Sequence, residues 1–205
     1  CRTMAYPQKG PQKCWNFSLE RLKPRVLLSV TTVFADDFSG SHPGDWEIGH
    51  DDALYSLGWA WPDDYAHMYA HPTSGRQYYP NNLQVYMEKH DLDLTDYDTA
   101  SLSFSYIVDT ELDYDYFTVR ARVENGQWYD LWYESGPASI TVWLEKTLDL
   151  SFFAGHSDVD IQFYFDSDFL YSGYPYDGVF IDDIVLTAEK FNDAPNIPSF
   201  VSVPS

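Results

Sequence analysis

The residues best suited to chemistry in this sequence are two adjacent aspartates. Asp182 and Asp183 stand in the middle of an otherwise apolar run at 179–186. In a strand, neighbouring side chains point to opposite faces, so one of these carboxylates faces a packed interior. There it needs a cation or several hydrogen-bond donors. Calcium is suited to this role because it takes about six to eight oxygen ligands.

Other aspartates could complete such a site. Asp36 and Asp37 open the acidic part of the chain, and further aspartates stand at 63–64, 113 and 115. If the first and last strands of a sandwich are neighbours, the pair at 36–37 approaches the pair at 182–183. The alternative for each aspartate is that it caps a turn or lies in solvent. We predict calcium as the cofactor, with these ligands: Asp36, Asp37, Asp115, Asp182 and Asp183.

Three segments, 59–65, 78–82 and 171–177, combine aromatic rings with Asp or Asn and are predicted as loops. Flat rings stack on sugar faces, and short amides and carboxylates bind hydroxyl groups. Alternatively, the rings cover the ends of a sandwich. An adhesion surface for an extracellular protein would use the same residue types, so polysaccharide and protein both stay open as partners. The candidate ligand-binding residues are Trp59, Trp61, Tyr65, Tyr78, Tyr79, Tyr174 and Tyr176.

Motifs for catalysis are absent from the sequence. His67 and His71 have the spacing of a helical zinc pair, but Pro72 would end the helix at once. A Gly-x-Ser-x-Gly elbow, a phosphate loop and a dinucleotide fingerprint are all missing. With 32 acidic residues, a glycosidase-like carboxylate pair would arise by chance. The residues therefore favour a non-catalytic module over a glycosidase or lyase.

Composition narrows the class of partner. The formal net charge is −20, and 24 of the 32 acids are Asp. A surface this acidic repels phosphate, which argues against nucleic acid. Hydrophobic residues make up 44% and aromatic residues 18%, enough to bury a core. Two cysteines, Cys1 and Cys14, cannot supply a disulfide framework for the acidic part.

Charge and composition divide the chain into three parts. Residues 1–35 carry six basic and one acidic side chain, and an apolar run at 26–34 follows Arg25, which is the layout of an export signal. The alternative is that this run is a first strand; it is too short for a membrane span. We predict a basic leader at 1–35, one β-sandwich at 36–190 and a Pro/Ser-rich linker at 191–205. The linker would lead to other domains of the same chain.

Alternation of apolar and polar residues predicts strand after strand at 101–107, 116–123, 158–165 and 179–186. Asn125-Gly126 predicts a hairpin over 117–133, because both residues tolerate a positive φ. No convincing amphipathic helix interrupts the strands. The sequence therefore predicts an all-β fold, an antiparallel β-sandwich of jelly-roll type.

Several motifs together resemble a known family. They are Leu-Asp-Leu-Thr at 92–95, Tyr-Asp-Tyr-Phe-Thr-Val at 114–119, Gly-Gln-Trp at 126–128, Leu-Asp-Leu-Ser at 148–151, the run at 161–168, and Gly-x-x-Ile-Asp-Asp-Ile at 178–184. Their order resembles the MAM-like jelly-roll modules, including the accessory domain of immune-inhibitor-A-type secreted metallopeptidases and related bacterial surface proteins. The closing motif is the most specific.

This resemblance implies a jelly-roll or concanavalin-like sandwich that is extracellular and acts in binding or scaffolding, not catalysis. It also implies a structural calcium near the first strand and the Asp-Asp strand. The chain lacks the cysteines of animal MAM domains, and the His-Glu-x-x-His motif of the peptidase is absent. We therefore expect a calcium-stabilised binding or adhesion module, with a calcium-dependent carbohydrate-binding module as the alternative.

Overall fold

The computed structural model describes residues 25–40, 44–50, 58–63, 65–69, 79–137, 141–170 and 176–193. These residues form eleven strands. The predicted runs at 101–107, 116–123 and 179–186 lie within strands, and the run at 158–165 begins one residue before its strand. The strands are β1 (Arg25–Asp36), β2 (Glu47–His50), β3 (Gly58–Asp63), β4 (Tyr65–Tyr69), β5 (Gln84–Leu92), β6 (Thr99–Asp109), β7 (Tyr116–Val123), β8 (Tyr129–Glu134), β9 (Leu144–Asp149), β10 (Val159–Asp166) and β11 (Gly178–Asp193).

The strands make two antiparallel sheets. Sheet A has the order β3-β4-β11-β6-β9, with β1 also pairing with the long strand β11, and sheet B has the order β2-β5-β10-β7-β8. From β4 to β11 the chain crosses between the sheets after nearly every strand, and only the β7–β8 hairpin stays within one sheet. This order is that of a jelly roll, so the predicted all-β sandwich is confirmed.

The core lies between the sheets and is rich in aromatic rings. Side chains alternate strictly between buried and half-buried along β6 and most of β7, as expected when one face of each strand packs inward. Phe163 of β10 lies at the centre, with ring centroids 5.4 Å from Phe104, 5.8 Å from Trp46 and 6.2 Å from Phe117. The two sheets are therefore joined through aromatic contacts.

The predicted hairpin at 117–133 is confirmed, since β7 pairs antiparallel with β8. Its turn differs from the expected one. The residues with positive φ are Glu124 (52°) and Asn125 (56°), whereas Gly126 is not in that region. The amide of Gly126 instead donates a 2.8 Å hydrogen bond to the carbonyl of Val123. The left-handed positions thus come one residue earlier than the Asn-Gly signal predicts.

The apolar run at 26–34 forms part of β1, the strand alternative of the sequence analysis. β1 pairs with β11 from Arg25 opposite Asp193 to Asp36 opposite Ile184. Strand pairing therefore crosses both predicted boundaries, at residues 36 and 190. An export role for 1–35 and a linker role for 191–205 remain predictions.

Helical structure is minor in the described ranges. A short 3-10 turn at Ser151–Phe153 follows β9, and its Phe153 side chain is buried. Within those ranges no helix is long and apolar enough to cross a membrane.

The central position of Phe163 gives a test of the core. Phe163 is fully buried, whereas Phe169 is 76% exposed. We expect Phe163→Ala to lower the free energy of unfolding by about 3–5 kcal/mol, because it leaves a cavity between the sheets. The same substitution at Phe169 should change it by less than about 0.5 kcal/mol. Urea unfolding of both variants measures the difference, and equal losses would contradict this account of the core.

Candidate functional site

The outer face of sheet B, the face turned away from sheet A, carries an unusual concentration of polar and aromatic side chains. In β10, Ile161, Phe163 and Phe165 pack inward, so the alternate residues face outward. Antiparallel pairing aligns these outward residues in rows across the sheet. One row contains Tyr86, Tyr164, Thr118 and Tyr133; the next contains Glu88, Gln162, Arg120 and Asp130.

A groove of about 510 Å³ lies on this face where β7, β8 and β10 meet. Two tyrosines form its apolar part, Tyr116 and Tyr133, whose ring centroids are 5.9 Å apart in a T-shaped arrangement. Tyr133 is 64% exposed, so most of its ring is available to a ligand. The other lining residues are polar or acidic: Asp113, Thr118, Asp130, Glu134, Ser135 and Asp166.

Beside the groove lies a network of charged side chains that are buried although they face away from the core. Glu88 and Asp160 are 4% and 2% exposed. The guanidinium of Arg122 donates to both, with Nη2 2.7 Å from Glu88 Oε1 and Nε 2.7 Å from Asp160 Oδ2. Gln162 Nε2 donates to the other oxygen of Glu88 at 2.7 Å. Buried carboxylates need such donors, and the network supplies them from adjacent strands.

Aromatic rings cover this network. The guanidinium carbon of Arg122 lies 4.3 Å from the ring centroid of Trp128, and that of Arg120 lies 4.1 Å from the centroid of Tyr164. Arg120 also donates through Nε to Gln162 Oε1 at 2.5 Å. Each arginine therefore binds a polar neighbour and an aromatic ring at once, which fixes both the ring and the cation.

A second cluster contains three residues predicted from the sequence, Tyr79, Tyr176 and Asp115. The hydroxyl of Tyr79 donates to Asp115 Oδ2 at 2.6 Å, and the ring of Tyr79 stacks on Tyr176 at 6.4 Å between centroids. The other oxygen of Asp115 accepts from the amide of Asp168 at 2.8 Å. Asp115 is 3% exposed, so both of its oxygens bind protein groups in a buried position.

Burial controls the ionisation of this cluster. Desolvation raises the pKa of Asp115, and the donors Tyr79 and the Asp168 amide oppose the rise. Desolvation also raises the pKa of Asp166, and the charge of Asp115 adds to the effect. The pKa of Tyr79 is raised too, first by burial and then by its bond to Asp115. The phenol therefore stays protonated and acts as a donor.

In the segment predicted as a loop at 59–65, residues 59–63 and Tyr65 belong instead to the paired strands β3 and β4. Trp59 is 5% exposed and packs in the core, with its ring 6.5 Å from Phe117. The structure thus gives Trp59 the packing role that was the alternative to ligand binding. Tyr65 is half-buried against Trp143 and Phe180. The side chain of Trp61, and Tyr78 and Tyr174 altogether, lie outside the described residues.

The predicted calcium ligands occupy two places. Pairing of β1 with β11 sets Asp36 opposite Ile184, so the first and last strands are neighbours as predicted. The carboxylate of Asp36 accepts from the amide of Phe38 and from Trp46 Nε1, both at 2.8 Å. Asp183 has φ of 50° at an irregularity in the β6–β11 pairing, and its amide donates to Asp182 Oδ1.

Asp115 precedes β7 in sheet B and does not join the other four aspartates. Across the described residues, three carboxylate, imidazole or thiol groups with ligand atoms within 4.8 Å of one another occur at Glu88, His90 and Asp160 instead. The five predicted aspartates therefore do not form a set of three side-chain ligands in this part of the chain. Calcium at Asp36, Asp37, Asp182 and Asp183 would depend on main-chain or water oxygens as well.

Sequence analysis missed most of the outer face of sheet B. Arg120, Arg122, Gln162 and Tyr164 entered it only as members of alternating runs, and Trp128 only as part of a motif. One signal was available. Two of the six basic residues after position 35 stand two apart in one strand, so they share a face in an otherwise acidic module. Their partners come from other strands and could not be read from spacing.

Comparisons with known proteins support the fold. No family model matches the chain. Immune inhibitor A of Bacillus thuringiensis subsp. alesti is 31% identical over 129 residues, which cover 58% of this chain. The chain spans only 18% of the length of that relative. The similarity agrees with the immune-inhibitor-A part of the sequence resemblance, whereas the MAM-like assignment stays a prediction.

Two solved structures are similar in fold. The K3 cleaved adhesin domain of Lys-gingipain from Porphyromonas gingivalis W83 has a TM-score of 0.54 at 15% identity, covering 77% of this chain and 100% of that one. The K1 adhesin domain of the same protein has a TM-score of 0.52 at 16% identity, covering 78% and 98%. At these identities, the similarity establishes the β-sandwich fold.

The raised pKa of Asp115 predicts a distinctive pH dependence. A native pKa above the unfolded value means that the native state binds more protons, so Asp115 lowers stability as pH rises through that window. Asp115→Asn keeps a neutral hydrogen-bonding group there. We expect the stability of the parent protein, relative to this variant, to fall as pH rises from the unfolded pKa of about 3.9 through the raised native pKa.

Asp93 provides a control for which the slope of stability against pH should have the opposite sign. It is exposed, and hydrogen bonds from Thr95 lower its pKa. Relative to Asp93→Asn, the parent protein should therefore gain stability as pH rises through the lowered pKa. Urea unfolding of both variants across this pH range measures the two slopes, and slopes of equal sign would contradict the assignment.

Proposed function

We propose that this chain is an extracellular, non-catalytic binding module that binds polysaccharide on the outer face of sheet B, centred on the groove. The groove itself is the observation that carries the proposal. It combines two tyrosine rings with hydrogen-bonding side chains on adjacent strands. Sugar rings have both apolar faces and hydroxyl groups, so a site for them needs both kinds of contact.

The rigidity of the site supports the same function. Thr118, Asp130 and Asp166 lie on paired strands, and the neighbouring Arg120 is fixed between Gln162 and Tyr164. Side chains held in this way lose little conformational entropy on binding. A shallow, pre-organised groove that opens to solvent suits an extended chain ligand rather than a small molecule that must be enclosed.

Charge narrows the ligand class to polysaccharides without acidic groups. Among the described residues that line the groove, four carry carboxylates, Asp113, Asp130, Glu134 and Asp166, and none is basic. The nearby Arg120 and Arg122 are already bound to other side chains of the network. Uronic-acid or sulfated polymers would meet like charge here, whereas neutral sugars would find hydrogen-bond acceptors for their hydroxyls.

We also propose that the module belongs to a longer secreted or cell-surface protein. Immune inhibitor A is a relative of which this chain spans only a small part, as expected of one module among several. In this arrangement the module would hold its neighbouring domains on a glycan surface. Its contribution to their activity would come from the raised local concentration.

Tyrosine 133 provides the test of the binding surface. We expect the chain to be retarded by at least one of a β-mannan, a xylan, a β-galactan and a β-glucan in affinity electrophoresis, and not by polyuronates. Tyr133→Ala should weaken the affinity by about tenfold, since it removes a stacking ring worth about 1.4 kcal/mol. The measurement is titration calorimetry with the retained polysaccharide.

The matched control is Tyr114→Ala. Tyr114 is 53% exposed, similar to Tyr133, but it does not line the groove. Its removal should leave the affinity unchanged. Lack of retardation by every neutral polysaccharide, or an equal effect of the two variants, would overturn the proposed function. Release of reducing ends from any of these polysaccharides would show instead that the module is an enzyme.

Calcium is the second part of the proposal, and the neighbouring positions of β1 and β11 support it. Asp36 and Asp37 lie at the end of β1, while Asp182 and Asp183 lie at the irregularity in β11. We propose that a calcium ion held here, with main-chain oxygens completing its ligands, stabilises the end of this strand pair.

The calcium proposal predicts a thermal shift. Calcium added to metal-free protein at about 100 times its Kd should stabilise the fold by about 2.7 kcal/mol, or about 5–10 °C in Tm. Asp182→Asn should abolish the shift. Asp96→Asn, at an exposed side chain that contacts Lys190, should preserve it. An unchanged Tm on calcium addition would contradict the calcium site.

A further inference from the structure

His90 is the unusual member of the network on the outer face of sheet B, because carboxylates face both of its ring nitrogens. Nε2 lies 3.1 Å from Glu47 Oε2. On the other side, Nδ1 lies 3.3 Å from Glu88 Oε1 and 3.2 Å from Asp160 Oδ1. A neutral imidazole donates one hydrogen bond and accepts at its other nitrogen. With its N–H on Nε2, toward Glu47, the ring aims the Nδ1 lone pair at the oxygens of Glu88 and Asp160, and a cation held between these three atoms would stabilise the arrangement.

We propose that Glu88, His90 and Asp160 form a binding site for a divalent transition metal of the zinc class. In a tetrahedral zinc site with bonds of about 2.0–2.1 Å, neighbouring ligand atoms lie about 3.3–3.4 Å apart. The separations from His90 Nδ1 to the two carboxylate oxygens match this edge length. One nitrogen and two oxygens from the protein leave the fourth position to water, as in many zinc sites.

The surrounding groups are those that orient metal ligands. Histidines that bind metals usually donate their other ring N–H to a carboxylate, which directs the free lone pair at the metal. Glu47 is placed to accept that bond from His90 Nε2. Asp160 Oδ2 accepts from Arg122 Nε, and Glu88 Oε2 accepts from Gln162 Nε2. The oxygens nearest to His90 Nδ1 are Glu88 Oε1 and Asp160 Oδ1. The first also accepts from Arg122 Nη2 at 2.7 Å and the second from the amide of Asp91 at 3.3 Å, and each oxygen has a further lone pair for a metal.

Burial and charge favour a cation at this position. The side chains of Glu88 and Asp160 are 6% and 3% exposed, and Arg122 offsets only one of their two charges. His90 is 33% exposed, which leaves a path by which an ion can enter. Nitrogen in the ligand set selects zinc-class ions over calcium, which prefers oxygen ligands only. This site is therefore distinct from the proposed calcium site in sheet A, and it does not depend on polysaccharide binding.

Metal titration of the whole chain tests the proposal. We expect metal-free protein to bind one equivalent of Zn²⁺ in calorimetry. Bound Co²⁺ should give the intense visible absorption of a tetrahedral site. His90→Gln should abolish both signals, because it removes the nitrogen ligand from a half-exposed position without disturbing the core. Glu47→Gln should retain the site but weaken zinc affinity by about 10–100-fold.

His156→Gln is the matched control, since His156 is an exposed histidine outside the network. It should bind Zn²⁺ as the parent protein does. Absence of zinc binding would overturn the proposal. Equal binding by the parent protein and His90→Gln would also overturn it, because the ion would then be held by the acidic surface at large.

Discussion

The rest of the structure depends on the pairing register of strand β10, because one face of this strand packs in the core and the other carries the candidate site. Inward, Ile161, Phe163 and Phe165 are buried, and the ring of Phe163 contacts Phe104 of sheet A. Outward, the alternate residues supply the polar centre of the binding face. A slip of one residue in the pairing of β10 would place carboxylates in the core and aromatic rings in solvent. Core packing therefore sets the register, and the register positions the site.

The fold could be predicted from the sequence because its signals are local. Alternation predicted the strands at 101–107 and 116–123, and Asn125-Gly126 predicted the hairpin between β7 and β8. The exact turn could not be predicted, since Glu124 adopts a positive φ that its residue type does not favour. The apolar run at 26–34 was ambiguous because a short apolar segment suits both a strand and an export signal. Its pairing with β11 is a contact between distant parts of the chain, which a local pattern does not predict.

The candidate site was harder to predict because its contacts join distant parts of the chain. Glu88, Arg122 and Asp160 come from three strands, and only the strand order β5-β10-β7 brings them together. Aromatic residues were selected by their neighbours in sequence, which does not report burial. Trp59 therefore was assigned to a binding surface although it packs in the core, while Trp128 was overlooked. The Asp-Asp pair in β11 was predicted as a metal site because its neighbours in sequence are apolar.

The buried network explains how a strongly acidic module can present a defined surface. Ion pairs taken out of water add little net stability, because desolvation offsets most of the attraction. In this module the ion pairs instead fix the positions of the side chains on the outer face of sheet B. Arg120 and Arg122 bind side chains of neighbouring strands and also contact Tyr164 and Trp128, so each ring is fixed by a cation that is itself fixed. Exposed carboxylates such as those of Asp96 and Asp45 lie in solvent, where they oppose anionic ligands without shaping the site. Under the proposed function, the number of acids would determine which polymers are repelled, while the few buried ones would determine where a ligand binds.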